Sequence, residues 1–312
     1  MRTRFTELVG CPAPIQLAPM GGGVGTPQLA AAVCEAGGLG MLSSFGPSPL
    51  DVQIVELRQR TQAPYGVGFF GFDVERRAGD LELAAAESRV VDIFWGDPHP
   101  DVVDRIHAFG ALAFWQVGSA EEALAAGDAG CDAVVAQGVE AGGHVRGTTP
   151  LRELLDAVVP RLAVPVVAAG GITTHDHVRH VFDAGASAVR IGTRLLATTE
   201  SAAHEHYLAA LVAAGDANDT ELTTAFHVGW ENAPHRVLRR AIIEAESTSE
   251  PIASLELDGQ QSPIGRWSAI PPSSSCRGTV TAMAMYAGAG VADITDITDV
   301  ASVISRLLGA SL

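Results

Sequence analysis

Short apolar runs bounded by glycine or proline recur through the first two thirds of the chain, and amphipathic stretches separate them. Within each run the apolar residues are continuous, a pattern typical of parallel strands that are covered by helices. We predict strands over residues 15–20, 39–43, 65–70, 90–95, 112–117, 133–137, 165–169 and 188–191. We predict helices over residues 26–36, 49–60, 80–88, 100–109, 120–129, 150–161, 175–184 and 200–214.

Four of the predicted helices share the same ending. Each stops at a glycine that precedes the next strand by a few residues, at Gly37, Gly110, Gly130 and Gly185. Glycine just beyond a helix favours the left-handed cap that ends it, so the pattern indicates one strand-helix unit repeated along the chain. Eight such units predict an α/β fold, a (β/α)8 TIM barrel over residues 1–201. An open, doubly wound parallel sheet is the alternative.

The rest of the chain is too long to be the tail of a barrel. Residues 204–246 are predicted to be helical, and residues 251–277, rich in proline and serine, to be irregular. Two more helices are predicted over residues 278–286 and 300–308. We therefore expect residues 202–275 to form a mostly helical lid or cap over the barrel mouth, and residues 276–312 to return to the barrel.

The composition excludes several kinds of enzyme. The chain has 312 residues and a formal net charge of −16, and all 20 of its basic residues are arginine. Without lysine it cannot be a Schiff-base aldolase, a pyridoxal-phosphate enzyme, a P-loop NTPase or a protein kinase. The acidic excess argues against nucleic acid or an anionic membrane as partner, because both require a basic surface. A small-molecule substrate is expected, and the oligomeric state is left open.

The cysteines and the apolar runs predict a cytoplasmic protein. The four cysteines form no C-x-x-C pair, which suits a reducing compartment. No apolar run has the length of a membrane helix, and the first ten residues lack the apolar core of a signal peptide. The histidines at 175–180 and 204–206 lack partners that would complete a ligand set, so no metal site is predicted.

Glycines cluster directly after the predicted strands, where a barrel has its active site. Gly170 and Gly171 follow the seventh strand, and Gly192 and Thr193 follow the eighth. The loops after these two strands are the usual phosphate site of a barrel, and their backbone amides can hold a phosphate without lysine. Arg194 is expected to add positive charge there. The alternative is that these glycines only form tight turns.

Two polar residues follow the sixth predicted strand. Gln137 ends the strand, and His144 ends the glycine-rich loop that comes next. An imidazole at the mouth of a barrel is well placed to act as a general base. The alternatives are a surface histidine and an ordinary polar residue at a strand end.

These loops resemble the nitronate monooxygenase family, formerly called 2-nitropropane dioxygenases. The most specific match is the A-Q-G-x-E-A-G-G-H stretch that ends at His144. The matching segments occur in the family's order over nearly the whole chain, and they are 18–20, 136–144, 168–172, 192–194 and 286–288. Relatives often carry asparagine at the position of Gly68 and glutamine at that of Ala289, so this chain departs from the family pattern at both.

The resemblance implies a barrel that binds FMN, and it assigns a part of the cofactor to each loop. Gly170, Gly171, Gly192 and Thr193 would bind the phosphate. The residues near the flavin ring would be Ala18, Pro19, Met20, Gln137, Gly142, Gly143, Tyr286 and Gly288. His144 matches the family's catalytic histidine.

The activity that the resemblance implies is oxidation of alkyl nitronates or nitroalkanes by O2 to a carbonyl compound and nitrite, with His144 as the base. The runner-up is an NAD(P)H-dependent flavin reductase, because type II enoyl-acyl-carrier-protein reductases and related quinone reductases share the E-A-G-G-H loop. A third hypothesis is a flavin-binding barrel without enzymatic turnover, and the presence of His144 argues against it.

Overall fold

The computed structural model describes residues 1–257 and 260–309, and within these ranges eight parallel strands form one closed sheet. The first nine strands are β1 (Ile15–Leu17), β2 (Gly40–Ser43), β3 (Tyr65–Phe70), β4 (Val90–Phe94), β5 (Leu112–Val117), β6 (Ala133–Gln137), β7 (Gly143–His144), β8 (Val166–Ala169) and β9 (Ala188–Ile191). All of these except β7 pair in the order β1-β9-β8-β6-β5-β4-β3-β2. A 2.9 Å hydrogen bond from the Leu17 amide to the Leu39 carbonyl closes the ring between β1 and β2. The predicted TIM barrel is confirmed.

Helices cover the outside of the barrel at the predicted places. They are α1 (Arg4–Val9), α2 (Pro27–Glu35), α3 (Leu50–Arg58), α4 (Ala78–Glu87), α5 (Pro100–His107), α6 (Ala120–Asp128), α7 (Leu151–Val158), α8 (His175–Asp183), α9 (Thr193–Leu196) and α10 (Glu205–Val212). Helix α1 was not predicted, and the eighth predicted helix begins at Glu205 instead of residue 200. Among the described helices, none has the length and apolar character needed to cross a bilayer.

The repeated glycine ending was predicted correctly. Gly37, Gly110, Gly130 and Gly185 have φ angles of 90°, 91°, 89° and 89°, in the left-handed region that side chains with a Cβ rarely adopt. Each glycine turns the chain from an outer helix towards the next strand of the barrel. This turn is what allows the strand-helix unit to repeat over so few residues.

Helix α10 and the chain that follows it build a second body with its own apolar core. The further elements of this body are β10 (Thr220–Thr223), β11 (His235–Leu238), α11 (Arg239–Ser247), β12 (Ala253–Leu257), β13 (Gln260–Ile264) and β14 (Cys276–Gly278). The last helix, α12 (Val300–Leu307), returns to the barrel core, where it packs beside α2 and α8. Strands β10, β11 and β7 form one antiparallel sheet, and β13, β12 and β14 form another. Met20, from the loop after β1, packs against both the barrel core and this second core.

Three predictions for this part of the chain are wrong. Residues 220–238 contain strands instead of helix, because β11 pairs with the barrel's β7 as well as with β10. Residues 251–264 contain a hairpin instead of irregular chain, so the segment 202–275 is not mostly helical. Residues 278–286 contain only a short 3-10 turn, Val280–Ala282. Ala282, Met283, Ala284 and Met285 are all buried, and this is why the apolar residues form a continuous run. The run does not mark the buried face of a helix. The last predicted helix is confirmed as α12.

Candidate active site

A cavity of about 730 Å³ opens at the carboxyl ends of the barrel strands. Its lining comes from the barrel loops, from the segment between β10 and β14, and from the chain around Tyr286. Apart from Arg194, the site residues predicted from the sequence line this one cavity: Ala18, Pro19, Met20, Gln137, Gly142, Gly143, His144, Gly170, Gly171, Gly192, Thr193, Tyr286 and Gly288. In the described part of the chain, no group of His, Cys, Asp or Glu side chains could hold a metal ion.

One side of the cavity is formed by close-packed glycines, and we call Gly170, Gly171, Gly192 and Gly288 the glycine wall. Gly170 and Gly171 have φ angles of 123° and 67°, a backbone that only glycine adopts readily. A Cβ on Gly171 would lie 3.1 Å from the Glu140 Cβ, whereas one on Gly192 would meet only the Ala18 Cβ, at 3.6 Å. Backbone therefore forms this wall of the cavity.

The chain around Gly288 is fastened to the barrel by backbone hydrogen bonds. The Gly288 amide donates to the Thr193 hydroxyl oxygen over 3.0 Å, and the Ala289 amide donates to the Glu140 carbonyl over 2.9 Å. A Cβ on Gly142 would lie 2.5 Å from the Gly288 nitrogen, so glycine is needed for this approach. These bonds place the chain around Gly288 against the loops that follow β6 and β9.

The expected contribution of Arg194 to the phosphate corner is wrong. Its guanidinium donates to the Asp296 carbonyl and carboxylate and to the Ala197 carbonyl, at 3.1–3.2 Å. The side chain is buried among these partners and does not line the cavity. Any phosphate held at the glycine wall would therefore be held by backbone and hydroxyl groups.

His144 belongs to two parts of the molecule at once. Its strand β7 follows the barrel strand β6, yet β7 pairs with β11 of the second body, with His144 opposite His235. From the barrel side, the Gln137 side chain donates to the His144 carbonyl over 2.9 Å and accepts from the Arg146 amide over 3.1 Å. Both ends of Gln137 thus brace the loop that carries the histidine.

Aromatic side chains pack against the His144 ring and leave it half-buried at the cavity. Its centroid lies 3.9 Å from that of Trp230, with the two planes 25° apart, and 6.0 Å from that of Trp95. Its Nε2 is buried and has no hydrogen-bond partner among the described residues. Burial, and to a lesser degree the neighbouring His235, lowers the pKa of His144 to about 3. The ring is therefore neutral near pH 7 and has a free lone pair.

His235 is held in the neutral form by its own partners. The Phe226 amide donates to its Nε2 over 3.3 Å, and its Nδ1 lies 2.9 Å from the Ala233 carbonyl, which requires a proton on Nδ1. Burial also lowers the pKa of this fully buried ring. His235 therefore has a structural role, although it lies 5.3 Å from His144.

Aromatic rings form the other side of the cavity. Phe70, Phe72, Trp230 and His144 line it, Trp95 packs against Trp230 and His144, and we call these five residues the aromatic wall. Trp230 makes edge contacts with Phe70, Phe72 and Trp95 at centroid distances of 4.5, 5.1 and 5.0 Å. Apart from His144, sequence reasoning missed this wall, because its rings come from four separate segments that no motif connects.

Four buried polar side chains cross the barrel interior below the cavity, and we call Gln16, Asp92, Gln116 and Arg190 the polar floor. Arg190 donates to the two Asp92 carboxylate oxygens over 2.6 and 3.1 Å and to Gln16 over 3.2 Å, and it also donates to Gln116. Burial raises the pKa of Asp92, and Arg190 opposes that rise. The sequence carried a signal for this floor, namely single polar residues inside otherwise apolar strands.

Gly68 departs from the family pattern, and the structure gives the reason. A Cβ at this position would lie 2.5 Å from the Pro19 Cβ, because the loop after β1 packs directly on β3. An asparagine here would require Pro19 to move. The loop therefore takes the space that a side chain at position 68 would need.

Comparisons with known proteins agree with this geometry. The nitronate monooxygenase family model matches residues 2–80 and 75–309. A nitronate monooxygenase from Pseudomonas aeruginosa is 34% identical over 262 residues, which cover 68% of this chain and 74% of the relative. The (3aS,4S,5R,7aS)-5-hydroxy-7a-methyl-1-oxo-octahydro-1H-indene-4-carboxyl-CoA dehydrogenase from Rhodococcus jostii is 32% identical over 247 residues, 78% of this chain and 68% of the relative.

Two solved structures are similar over almost their whole length. FabK from Thermotoga maritima has a TM-score of 0.79 and 30% sequence identity, covering 99% of this chain and 96% of that one. Nitroalkane oxidase from Streptomyces ansochromogenes has a TM-score of 0.77 and 29% identity, covering 98% and 97%. The chain therefore belongs to the nitronate monooxygenase family, whose members are flavin-dependent oxidoreductases.

Proposed function

We propose that this chain is an FMN-dependent nitronate monooxygenase, which oxidises alkyl nitronates and nitroalkanes with O2 to a carbonyl compound and nitrite. The observation that carries the proposal is His144, a neutral imidazole whose Nε2 has no partner among the described residues and whose ring lines the same cavity as the glycine wall. A neutral nitroalkane must lose its α-proton, and a neutral imidazole can accept it.

The lining of the cavity fits FMN. The glycine wall offers backbone at the loops after β8 and β9, the usual phosphate corner of a barrel, and Gly192 leaves open space there. Ala18, Pro19 and Met20 line the cavity from the loop after β1, where the flavin ring would lie. When bound, FMN would supply the redox chemistry, accepting electrons from the substrate and passing them to O2.

We assign the chain's own groups these roles. His144 accepts the α-proton of a nitroalkane at Nε2, or orients a nitronate that is already an anion. Gln137 keeps the His144 loop in register with the barrel through its two backbone hydrogen bonds. The aromatic wall limits the access of water to the His144 imidazole, which keeps the base neutral. Because the Nε2 atom of His144 is buried, a substrate reaches it only after the rings of the aromatic wall shift.

We assign the parts of the chain as follows. Residues 1–201 form the FMN-binding barrel, residues 202–275 cover its mouth as a lid, and residues 276–312 return to the flavin. Val228 and Ile270 of the lid line the cavity and are partly exposed, at 53% and 37% of their surface. We expect the enzyme to act in a reducing cytosol, since all four cysteines are free and buried.

An NAD(P)H-dependent flavin reductase is the second candidate, favoured by the likeness to FabK over 99% of this chain. The charge argues against a substrate carried on an acidic carrier protein, because the chain itself has 36 acidic residues against 20 basic ones. The likeness to a CoA-thioester dehydrogenase from Rhodococcus jostii favours a bulkier substrate as an alternative for the same cavity.

The experiment compares electron donors. The purified holoprotein is mixed without oxygen with propyl nitronate, NADH or NADPH, and bleaching of the flavin is followed. Oxygen is then admitted, and oxygen uptake and nitrite are measured. Bleaching by the nitronate, with nitrite formed on aeration, supports the proposal; bleaching by a nicotinamide alone supports the reductase. Mass spectrometry of the released cofactor tests its identity as FMN.

A further inference from the structure

Trp230 occupies the centre of the aromatic wall. Its ring lies 3.9 Å from the His144 ring in a stacked arrangement, and the edges of Phe70 and Trp95 pack against it at 4.5 and 5.0 Å. An indole fixed by ring contacts on several sides has little rotational freedom. One face of the His144 imidazole is therefore covered by a side chain that is itself held in place.

The loop that carries Trp230 is tied to the neighbouring segment 267–269 through Val228. The Val228 amide donates to the Trp267 carbonyl over 2.9 Å, and the Ala269 amide donates to the Val228 carbonyl over 3.1 Å. Gly229, with φ of 97°, makes the turn that brings the indole over the barrel mouth. The loop connects β10 to β11, and β11 is the strand that pairs with His144.

We infer that Trp230 is a positioning residue for catalysis, which holds the His144 imidazole in one orientation and shields it from water so that it stays available as a base. The inference rests on the proposed function, because it takes His144 as the base. No part of the reaction is assigned to the indole. Its effect on turnover comes entirely through His144.

The groups around the imidazole decide how it titrates. His235 and Tyr286 face it from the second body, at ring distances of 5.3 and 5.6 Å. Arg146, two residues along the same loop, packs over Trp95 and is neutralised by Glu122 and Asp97. A change at position 230 would leave these ring contacts and ion pairs in place. Loss of the indole would therefore act on His144 mainly by letting water reach the ring.

The test compares Trp230→Ala with Trp230→Phe, which keeps a ring, and with Phe109→Ala, a control that removes an exposed ring outside the cavity lining. In the native enzyme His144 is neutral throughout pH 5–8, because its pKa is about 3. In Trp230→Ala, hydration raises that pKa towards its ordinary value of about 6.5. For a neutral nitroalkane, kcat/KM at pH 5 should then fall about tenfold relative to pH 8, whereas turnover of the nitronate should lack this fall.

A second measurement does not depend on turnover. The His144 ring is titrated by NMR in protein labelled with 15N-histidine, and His144→Asn identifies its signals. Trp230→Ala should raise the pKa of His144 by more than one unit, and both Trp230→Phe and Phe109→Ala should leave it unchanged. If Trp230→Ala does not fold, Trp230→Leu takes its place, because it keeps an apolar side chain without a stacking ring. It must show the same rise in the pKa of His144.

The two proposals fail in different ways. If the folded, flavin-bound variants without a ring at position 230 titrate like the native protein and keep its pH profile, the inference about Trp230 is overturned. If the native enzyme turns over neither nitroalkane nor nitronate, the proposed function fails, and the NMR titration still decides whether Trp230 shields His144.

Discussion

The glycine wall and the aromatic wall face each other across one cavity, but different parts of the chain build them and different forces fix them. Backbone packing and amide hydrogen bonds hold the glycine wall, as in the bond from Gly288 to Thr193. Ring contacts hold the aromatic wall, and its central residue, Trp230, comes from the loop between β10 and β11. At Gly170, Gly171 and Gly288 the backbone wall has little room for a Cβ, whereas ring contacts can be exchanged for others.

This difference fits the two tasks that the walls would have. A cofactor that stays in place needs fixed groups, and the backbone of tight glycine turns provides them. A substrate that enters and leaves needs apolar contacts that can shift. The walls can be separated by experiment, because changes to the glycine wall should affect flavin occupancy and changes to the aromatic wall should affect catalysis with flavin in place.

The largest effect is expected from Gly171→Val combined with Gly192→Val. A side chain at position 171 would be strained at φ 67° and would crowd Glu140, and one at position 192 would fill the cavity. Flavin occupancy of the purified protein, measured by absorbance, should fall below about one tenth, and activity with it. The control Gly79→Ala has open space in a helix and should keep its flavin. Full occupancy in the double variant would contradict the assignment of the glycine wall.

The second largest effect is expected from His144→Asn, which changes the aromatic wall. We expect flavin to remain bound while kcat for a neutral nitroalkane falls about 10²- to 10⁴-fold, since proton abstraction loses its base. The kcat for a preformed nitronate should fall much less, because that substrate has already lost the α-proton that the base removes. The control His180→Asn changes a histidine on the outer helix α8. An unchanged rate with nitroalkane would remove His144 from the role of base.

Asp92→Asn tests the polar floor below both walls. Asp92 is 1% exposed, and the substitution leaves the buried Arg190 charge without its carboxylate. Breaking a buried pair in this way typically costs about 3–5 kcal/mol of unfolding free energy, which urea denaturation would measure. Asp156→Asn, at an exposed pair with Arg152, should cost less than about 1 kcal/mol. Equal losses in the two variants would show that the floor adds little to stability.

The smallest effect is expected from Phe70→Ala, at the edge of the aromatic wall. Phe70 contacts Phe45, Phe72 and Trp230, so its loss removes apolar contacts but no hydrogen bond. We expect KM for bulky nitronates to rise about 3- to 10-fold, with flavin occupancy unchanged. Steady-state kinetics with small and branched nitronates would measure it, with Phe109→Ala, exposed on the barrel surface, as the control. Loss of flavin would mean that this wall also holds the cofactor.

The barrel and the glycine wall could be predicted because local rules govern them. Gly37 and Gly185 end helices for reasons visible in the sequence, and parallel strands covered on both faces appear as continuous apolar runs. The second body could not be predicted in this way. Strand β11 exists because it pairs with β7, far away along the chain, and Met283 and Met285 are buried in extended chain that has the composition of a helix. Trp230 was missed for the same reason, since its partners come from β3, β4 and β7 and the loops after them.

The pairing of β7 with β11 also has a consequence for the order of folding. Hydrogen bonds from the Arg236 guanidinium to the Val139 carbonyl join positions 97 residues apart, next to the short strand that carries His144. Contacts of such long range form late, because a long loop must close before they are made. During synthesis all eight barrel strands leave the ribosome before β11 does. A nascent barrel can therefore bring together the loops after β8 and β9 early, whereas the strand that carries His144 finds its partner only after much more of the chain has been made.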